Sequence, residues 1–220
     1  LEFRRVLFRS SPWRGLLGLW VAMSVAPMPV PSPKLDRLNL GCGRFPKGGF
    51  VNVDWVRAPG VDVVHDLTQL PYPFEDDRFE KIEADHVIEH LPQVFDVMAE
   101  LHRILRPGGQ LVLRVPHFSR GFSHPEHKRG FDATFPYYFD PDFPGGYTGT
   151  HFQCEQVNMR WFAQPYLKKT VLSKPMYTVG KAVGTAIDRL ANLSPLVCSR
   201  LWCYYVGGFE EIEFVMRKPR

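Results

Sequence analysis

The sequence predicts an α/β domain built around a mostly parallel central sheet. Short apolar runs alternate with turn signals and one amphipathic helix along residues 38–116, which is the pattern of parallel strands joined by crossovers. Three of these runs lead into glycine or aspartate, the residue types found where ligand-binding loops leave such a sheet. The chain has 220 residues, the length of one ordinary domain.

Five short apolar runs before residue 116 are predicted to be strands. They span 38–40, 50–53, 61–64, 79–84 and 111–115. The first runs into Gly41-Cys42-Gly43, the second ends at Asp54 and the third leads to His65-Asp66. Pro116 ends the fifth strand, because proline lacks the N–H group that a central strand needs.

One helix is predicted between the fourth and fifth strands. Its apolar residues recur at steps of three and four, which builds one apolar face. These residues are Val94, Val97, Met98, Leu101, Ile104 and Leu105. The sequence Arg106-Pro107-Gly108-Gly109 is expected to end the helix.

The second half of the chain has a less regular pattern. Residues 116–150 are rich in aromatic residues, proline, glycine and histidine, and are predicted to form a long loop, either a lid or a packed satellite core. A strand at 152–161, a helix at 178–193 and a last strand at 209–216 follow. Trp202, Tyr204 and Tyr205 are expected in the core.

Two regions divide the chain in the predicted organisation. Residues 1–33 are expected to be a sequencing artefact or read-through and a disordered tail, because Leu1 to Ser10 resembles a translated sequencing adapter. The alternative is an export signal around residues 15–26. Residues 34–220 are expected to form one domain with the aromatic-rich loop at 116–150 and a helical insertion at 176–206.

Charge and cysteine usage limit the function classes. The formal net charge is +4, but residues 1–14 carry +3 of it, so the rest of the chain lacks the basic stripe of a nucleic-acid-binding protein. The sequence contains no run of about 18 apolar residues, so no membrane span is predicted. Four cysteines without disulfide-framework spacing favour reduced thiols and a cytoplasmic location.

The ends of the first three strands carry the strongest ligand-binding signals. Gly41 and Gly43 would let backbone approach a ligand, while Pro46 occupies the place of the third glycine of a dinucleotide fingerprint. Asp54 could accept hydrogen bonds from two ribose hydroxyls, and Asp66 could accept one from an exocyclic amine. A helix cap or turn is the alternative role for either aspartate.

With these motifs in order, the chain resembles the class I S-adenosylmethionine-dependent methyltransferases in a compact variant. The motifs are LNLGCG (38–43), VNVDW (51–55), VVHDLTQLPYPFEDDRFEKIEADHVIEHL (63–91) and LHRILRPGGQLVLRVP (101–116). The resemblance implies a Rossmann-like methyltransferase fold of about seven strands, the last antiparallel, with flanking helices. It also implies S-adenosylmethionine as cofactor and transfer of its methyl group to a small-molecule or glycan-type acceptor.

The resemblance implies ten cofactor-contacting residues. They are Asn39, Gly41, Cys42, Gly43, Asp54, Trp55, Asp66, Leu67, Asp85 and His86. The methionine part would lie along Gly41 and Gly43, the ribose on Asp54, and the adenine between Asp66 and Leu67. The family's full helix between the first two strands has no counterpart, since 44–49 is too short and contains Pro46, so an irregular crossover is expected.

Histidines are the candidates for a general base toward the acceptor. His117 is preferred because it follows the fifth strand, and His127 is the second choice. Either could instead be a solvent-facing or core histidine.

Three other interpretations stay open. His86-Val87-Ile88-Glu89-His90 matches the H-x-x-E-H motif of zinc peptidases, although Pro92 leaves room for only a turn or two of helix. His117, His124 and His127 could also hold a metal, but no metal is expected. A cofactor-binding protein without turnover would share every cofactor motif, and the oligomeric state is not predicted.

Overall fold

A computed structural model describes residues 35–121 and 124–220. The predicted tail at 1–33 lies outside the described residues. The strands are β1 Arg37–Leu40, β2 Val51–Asp54, β3 Val63–Val64, β4 Phe79–Asp85, β5 Leu105–Pro116, β6 Gln153–Arg160 and β7 Glu211–Arg217. The helices are α1 Val94–Ile104, α2 Phe118–Gly121, α3 Pro165–Val171 and α4 Lys174–Ala191, with shorter helical segments at Ile88–His90, Phe135–Phe139 and Pro195–Val197 to Cys203–Tyr205.

The seven strands form one sheet in the order β3-β2-β1-β4-β5-β7-β6. The first five strands of this order are parallel, and β7 is antiparallel to both β5 and β6. The predicted mixed sheet with an antiparallel last strand is therefore confirmed. Because β1 and β4 are neighbours, the order reverses between them, and ligands of such sheets bind outside the carboxyl ends of the strands at that point.

One face of the sheet is apolar and forms the core. The register places Leu38 of β1 beside Val51 and Ile82, and continues the apolar row to Leu111 and Met216, all fully buried. Helix α1 packs on this face through the apolar residues predicted for it, such as Val97 and Leu101. Burial of this row and of α1 is the main source of stability.

The opposite face of the sheet is polar. Asn39 donates to Asn52 Oδ1 across 2.9 Å and pairs in register with Glu83 of β4, while Arg114 of β5 pairs in register with Asp85 of β4 and Glu213 of β7. In doubly wound folds both faces carry helices and the strands read as continuous apolar runs. Here the described connections at 41–50 and 55–62 contain turns only, as expected for the first crossover, so these strands alternate between apolar and polar residues.

Much of the aromatic-rich segment packs into the core. Phe131, Phe135 and Phe139 are buried, with ring centroids 4.9 and 5.2 Å apart along the series. Tyr137 and Tyr147 remain partly exposed. These rings belong to the main hydrophobic core, so this part of the loop is packed as considered, although not as a separate satellite core.

The segment between β6 and β7 exposes large apolar side chains. Helix α4 confirms the predicted helix, but Val179 is 63% exposed and only Gly184 and Ala191 are buried. The expectation that Trp202, Tyr204 and Tyr205 belong to the core is wrong, since each is more than half exposed. Within the described ranges, no helix is both long enough and apolar enough to span a membrane.

Candidate active site

The turn after β1 requires glycine. Gly41 and Gly43 have φ values of +63° and +53°, which side chains with a Cβ rarely adopt. A Cβ on Gly41 would lie 2.5 Å from Cγ2 of Val87, in the segment that follows β4. The backbone at the end of β1 therefore closely approaches the segment after β4.

Gly41→Ala is expected to destabilise the protein more than Gly49→Ala. Gly49 has φ +78°, and a methyl group added to its Cα would meet nothing within 4 Å. Gly49→Ala therefore measures only the cost of placing alanine in a left-handed backbone conformation, about 1 kcal/mol. At Gly41 the overlap with Val87 adds about 1–3 kcal/mol. Denaturant unfolding measures both losses, and a Val87→Ala background should remove the difference. Equal losses in the parent background would contradict this packing.

Asp54 is the buried acid at the end of β2. It is 5% exposed, and its Oδ2 accepts the backbone N–H of Gly43 at 2.7 Å while Oδ1 accepts that of Val56 at 3.2 Å. Each carboxylate oxygen has two lone pairs, so further acceptor capacity remains toward a ligand. The aspartate thus links the glycine turn to the end of the neighbouring strand.

Asp66 lies at the same sheet edge as Asp54. Asp54 pairs with Val64 in the parallel β2–β3 register, and Asp66 follows two residues later. Its Oδ1 accepts the backbone N–H and the hydroxyl of Thr68, at 2.9 and 2.8 Å, so it forms a turn as well. Leu67 is buried and Trp55 is 51% exposed. The predicted adenosine-binding residues are thus brought to one edge, with Trp55 on the surface.

Asn39 and Cys42 stabilise the glycine turn through hydrogen bonds within the protein. The Asn39 side chain is buried and donates to the Phe45 carbonyl oxygen at 3.1 Å, as well as to Asn52. The Cys42 backbone N–H donates to the carbonyl oxygen of Val53 at 2.9 Å. In this structure the Asn39 side chain is engaged within the protein, so its contribution is to shape the glycine turn.

Asp85 ends β4 and is enclosed by cations. Lys47 Nζ lies 2.8 Å from one of its oxygens, and Arg114 Nη1 lies 2.7 Å from the other. Burial opposes the charged form, but these two cations outweigh it and hold the pKa of Asp85 below its usual value. The sequence did not indicate Lys47 or Arg114, which come from the first crossover and from β5.

His86 follows Asp85 in a left-handed conformation, with φ +54°. Its Nε2 lies 2.8 Å from Glu211 Oε2, and its Nδ1 lies 3.4 Å from Glu89 Oε1. Burial works against the imidazolium, but Glu211 and Glu89 outweigh it and raise the pKa of His86 to about 10. The side chain is therefore a cation near neutral pH, and Glu211 is a third residue that the local sequence did not reveal.

His117 is inside the protein and differs from the expectation of an acceptor-facing base. It is fully buried, with Nδ1 2.7 Å from Ser119 Oγ and Nε2 2.9 Å from Ser199 Oγ. Burial lowers its pKa to about 4 against the opposing charge of Asp132. Both ring nitrogens are occupied, one by Ser119 and the other by Ser199 of the segment Cys198–Trp202. This geometry gives His117 a structural role.

The buried His117 should make folding sensitive to acid. The unfolded state takes up a proton below about pH 6.5, whereas the folded ring stays neutral until about pH 4. Stability from this residue is therefore complete above pH 6.5 and falls by about 3 kcal/mol as the pH drops to 4. Denaturant unfolding of the parent and His117→Gln between pH 7.5 and 4.5 tests this. Parallel stability curves would contradict it.

His127 belongs to a cluster near the end of β4. Its ring centroid is 4.9 Å from that of His90 and 4.8 Å from that of His124. His127 Nε2 also lies 3.9 Å from an oxygen of buried Glu89. The structure thus brings His127 near the segment after β4, whereas the ring nitrogens of His117 face Ser119 and Ser199.

A cavity of about 400 Å³ opens beside the ends of β4 and β5. Its lining includes Asp85, His86 and Glu211 on the sheet side, and Tyr166 of α3 and Lys181 of α4 on the other. Tyr166 also packs edge-on against Phe45 of the first crossover, at 5.0 Å between ring centroids. The cavity therefore adjoins the cationic His86 and is charged on several sides.

Comparisons with known proteins agree with this arrangement. A family model described as a methyltransferase domain matches residues 48–113. The chain is 40% identical over 63 residues to Methyltransferase GfsG of Streptomyces halstedii, covering 27% of this chain and 23% of that protein. It is 25% identical over 77 residues to the demethylmenaquinone methyltransferase of Bacillus subtilis, covering 35% and 29%. The alignments thus span about a quarter of the length of these relatives.

The fold also resembles a solved structure. A SAM-dependent methyltransferase from Archaeoglobus fulgidus aligns over 84% of this chain and 89% of its own, with a TM-score of 0.51 and 15% identity. This likeness concerns the fold alone. Over residues 48–113, which contain β2 to most of β5, the chain is therefore similar to methyltransferase domains, and its mostly parallel sheet with an antiparallel last strand agrees with the resemblance to the class I S-adenosylmethionine-dependent methyltransferases.

Proposed function

We propose that this protein binds S-adenosylmethionine at the carboxyl edge of β1, β2 and β3 and transfers its methyl group to an acceptor. The observation that carries the proposal is the position of Asp54, a buried carboxylate fixed by the Gly43 N–H at the end of the strand next to β1. A carboxylate in this position can accept hydrogen bonds from both hydroxyls of a ribose.

The residues present fit the cofactor. Gly41 and Gly43 offer backbone without side chains to the methionine part, and Asp66 with Leu67 would hold the adenine. S-adenosylmethionine has no phosphate, so the absence of a third glycine at Pro46 is no obstacle. When bound, the cofactor supplies an activated methyl group on a sulfonium. The protein's part is to align donor and acceptor, which can lower the barrier by several kcal/mol.

We assign the acceptor site to the cavity between the end of β4 and helices α3 and α4. Its volume of about 400 Å³ suits a small molecule or one or two sugar units. The cationic His86 and the nearby Lys181 favour an acceptor that carries oxygen atoms or negative charge. A small-molecule or glycan-type acceptor therefore remains the proposal, and the cytoplasmic location and lack of nucleic-acid partners remain predictions.

Turnover on a panel of acceptors tests this function. The full chain is incubated with S-adenosylmethionine and hydroxylated, carboxylated or glycosylated small molecules, and release of S-adenosylhomocysteine is measured. We expect release with at least one oxygen-bearing acceptor, and its loss in Lys181→Glu if the cavity is the acceptor site. Cofactor binding without turnover on any acceptor would favour the alternative, a cofactor-binding protein that is not an enzyme.

A further inference from the structure

We propose that Glu89, His90 and His127 form a binding site for a divalent metal ion of the zinc class. Glu89 lies in the short 3-10 helix Ile88–His90 that follows β4. The backbone N–H of Lys128 donates to the Glu89 carbonyl oxygen at 3.0 Å, which holds the segment around His127 against this helix. Two segments that are distant in sequence thereby place their polar side chains together.

Glu89 is the feature that calls for a ligand. Its side chain is 0% exposed, and within residues 35–121 and 124–220 neither carboxylate oxygen has a hydrogen-bond partner. A buried carboxylate without hydrogen bonds or a coordinated cation is unfavourable. The His86 imidazolium, with Nδ1 3.4 Å from Oε1, offsets part of this charge, whereas the nitrogens of His90 and His127 lie 3.8 and 3.9 Å from Oε1, beyond hydrogen-bond range.

The spacing of these groups suits a metal ion. One ligand atom from each of Glu89, His90 and His127 lies within 4.8 Å of the others. Ligands bound tetrahedrally at about 2.1 Å are about 3.4 Å apart, so small side-chain rotations would close the site. Two imidazoles and one carboxylate are the protein ligands of several catalytic zinc sites, in which a further position stays open for water or substrate.

The groups around the cluster are arranged to orient its ligands. His90 has a backbone hydrogen bond with Glu126, and the His124 ring stacks on His127 with an interplanar angle of 26°. Metal-binding histidines commonly have a hydrogen-bonded outer partner of the kind that Glu126 gives to His90. His86 approaches Glu89 as well, but its nitrogens are not among the ligand atoms that lie within 4.8 Å of one another, so we do not count it as a ligand.

This site differs from both metal arrangements that the sequence suggested, and from the expectation of no metal. His117 is buried between Ser119 and Ser199, so it cannot join His124 and His127 in one site. In the H-x-x-E-H segment, the metal ion would be bound by Glu89 and His90, whereas the zinc-peptidase motif uses both of its histidines. An acceptor oxygen is a suitable ligand for the open position of the metal ion. This extension rests on the proposed function, whereas the metal site itself does not rest on it.

Metal titration of the full chain tests the site. The protein is purified without a polyhistidine tag, treated with a chelator, and titrated with Zn²⁺ by calorimetry and with Co²⁺ by visible absorption. We expect one ion per chain and a melting temperature raised by several degrees with Zn²⁺. Glu89→Gln and His127→Gln should each weaken binding by about 100-fold or more. His151→Gln, which changes an exposed histidine outside the cluster, should bind like the parent.

Glu89→Gln also separates a metal ligand from a structural acid. Without metal this variant loses the charge that faces the His86 imidazolium at 3.4 Å, so the deciding result is its response to the metal. Zn²⁺ should no longer raise its melting temperature. A variant that responds to Zn²⁺ like the parent would overturn the proposal, as would the absence of stoichiometric binding in the parent. S-adenosylhomocysteine binding in the same samples tests the proposed function separately.

Discussion

Replacing Asp54 by asparagine is expected to weaken S-adenosylhomocysteine binding by about 30- to 150-fold. The substitution removes a charge that would accept from two ribose hydroxyls, and losing such charge-assisted hydrogen bonds costs about 2–3 kcal/mol. An asparagine oxygen can still accept the Gly43 N–H, which Asp54 Oδ2 now accepts at 2.7 Å, so the turn should persist. Calorimetric titration of the full chain measures the effect.

Asp76→Asn is the matched control. Asp76 is 75% exposed and pairs with Arg103, so the same chemical change there should leave the affinity for S-adenosylhomocysteine unchanged. Thermal melts of both variants check that they are folded. Equal affinities of Asp54→Asn and the parent would contradict the assignment of the ribose to Asp54.

Arg114→Met is expected to lower the free energy of unfolding by about 2–4 kcal/mol at pH 7. Arg114 pairs with Asp85 at 2.7 Å and with Glu213 at 2.6 Å, and lies 3.7 Å from Glu83. These carboxylates lie on the polar face of the sheet, where Glu83 and Glu213 are largely buried. Methionine retains the apolar stem of arginine but leaves three acids close together without their shared cation.

The loss should depend on pH. Burial disfavours charge on Asp85 and Glu83, but their cationic neighbours hold the pKa of both below its usual value, so the parent loses this stabilisation as acid protonates them. In Arg114→Met the acids protonate more readily, and the difference between variant and parent should shrink near pH 4. Denaturant unfolding at both pH values measures this.

Arg106→Met controls for the loss of an arginine. Arg106 is 46% exposed and pairs with Glu80 at 2.6 Å on the surface, so its replacement should change stability by about 0.5 kcal/mol or less. Comparable losses from Arg106→Met and Arg114→Met would contradict the importance of the polar face.

Local sequence patterns predicted the strands and the helix whose apolar side chains face the core. The second strand and α1 lie within one or two residues of their predicted bounds, because apolar periodicity records which side chains face the core. Helix α3 was not predicted, since none of its residues is buried and its sequence has no apolar period. The strand β5 begins earlier than expected, at Leu105, because Leu105 pairs with Phe79 before the Pro-Gly turn.

The site was only partly readable from the sequence. Glycines and aspartates at strand ends were predicted because parallel strands bring their carboxyl ends to one edge. Lys47, Glu211 and the Glu89 cluster depend on contacts between residues 36 to 125 positions apart, and no local pattern reports those. His117 was assigned to the cleft because it follows a strand, but the segment near Ser199 covers it.

A crystal structure of the full chain with S-adenosylhomocysteine would test the central claim most directly. We expect the ribose hydroxyls within hydrogen-bond distance of the Asp54 carboxylate, with the adenine beside Asp66 and Leu67 and the amino-acid part over Gly41 and Gly43. An adenosyl group bound elsewhere, with Asp54 contacting only Gly43 and Val56 as it does here, would contradict the claim.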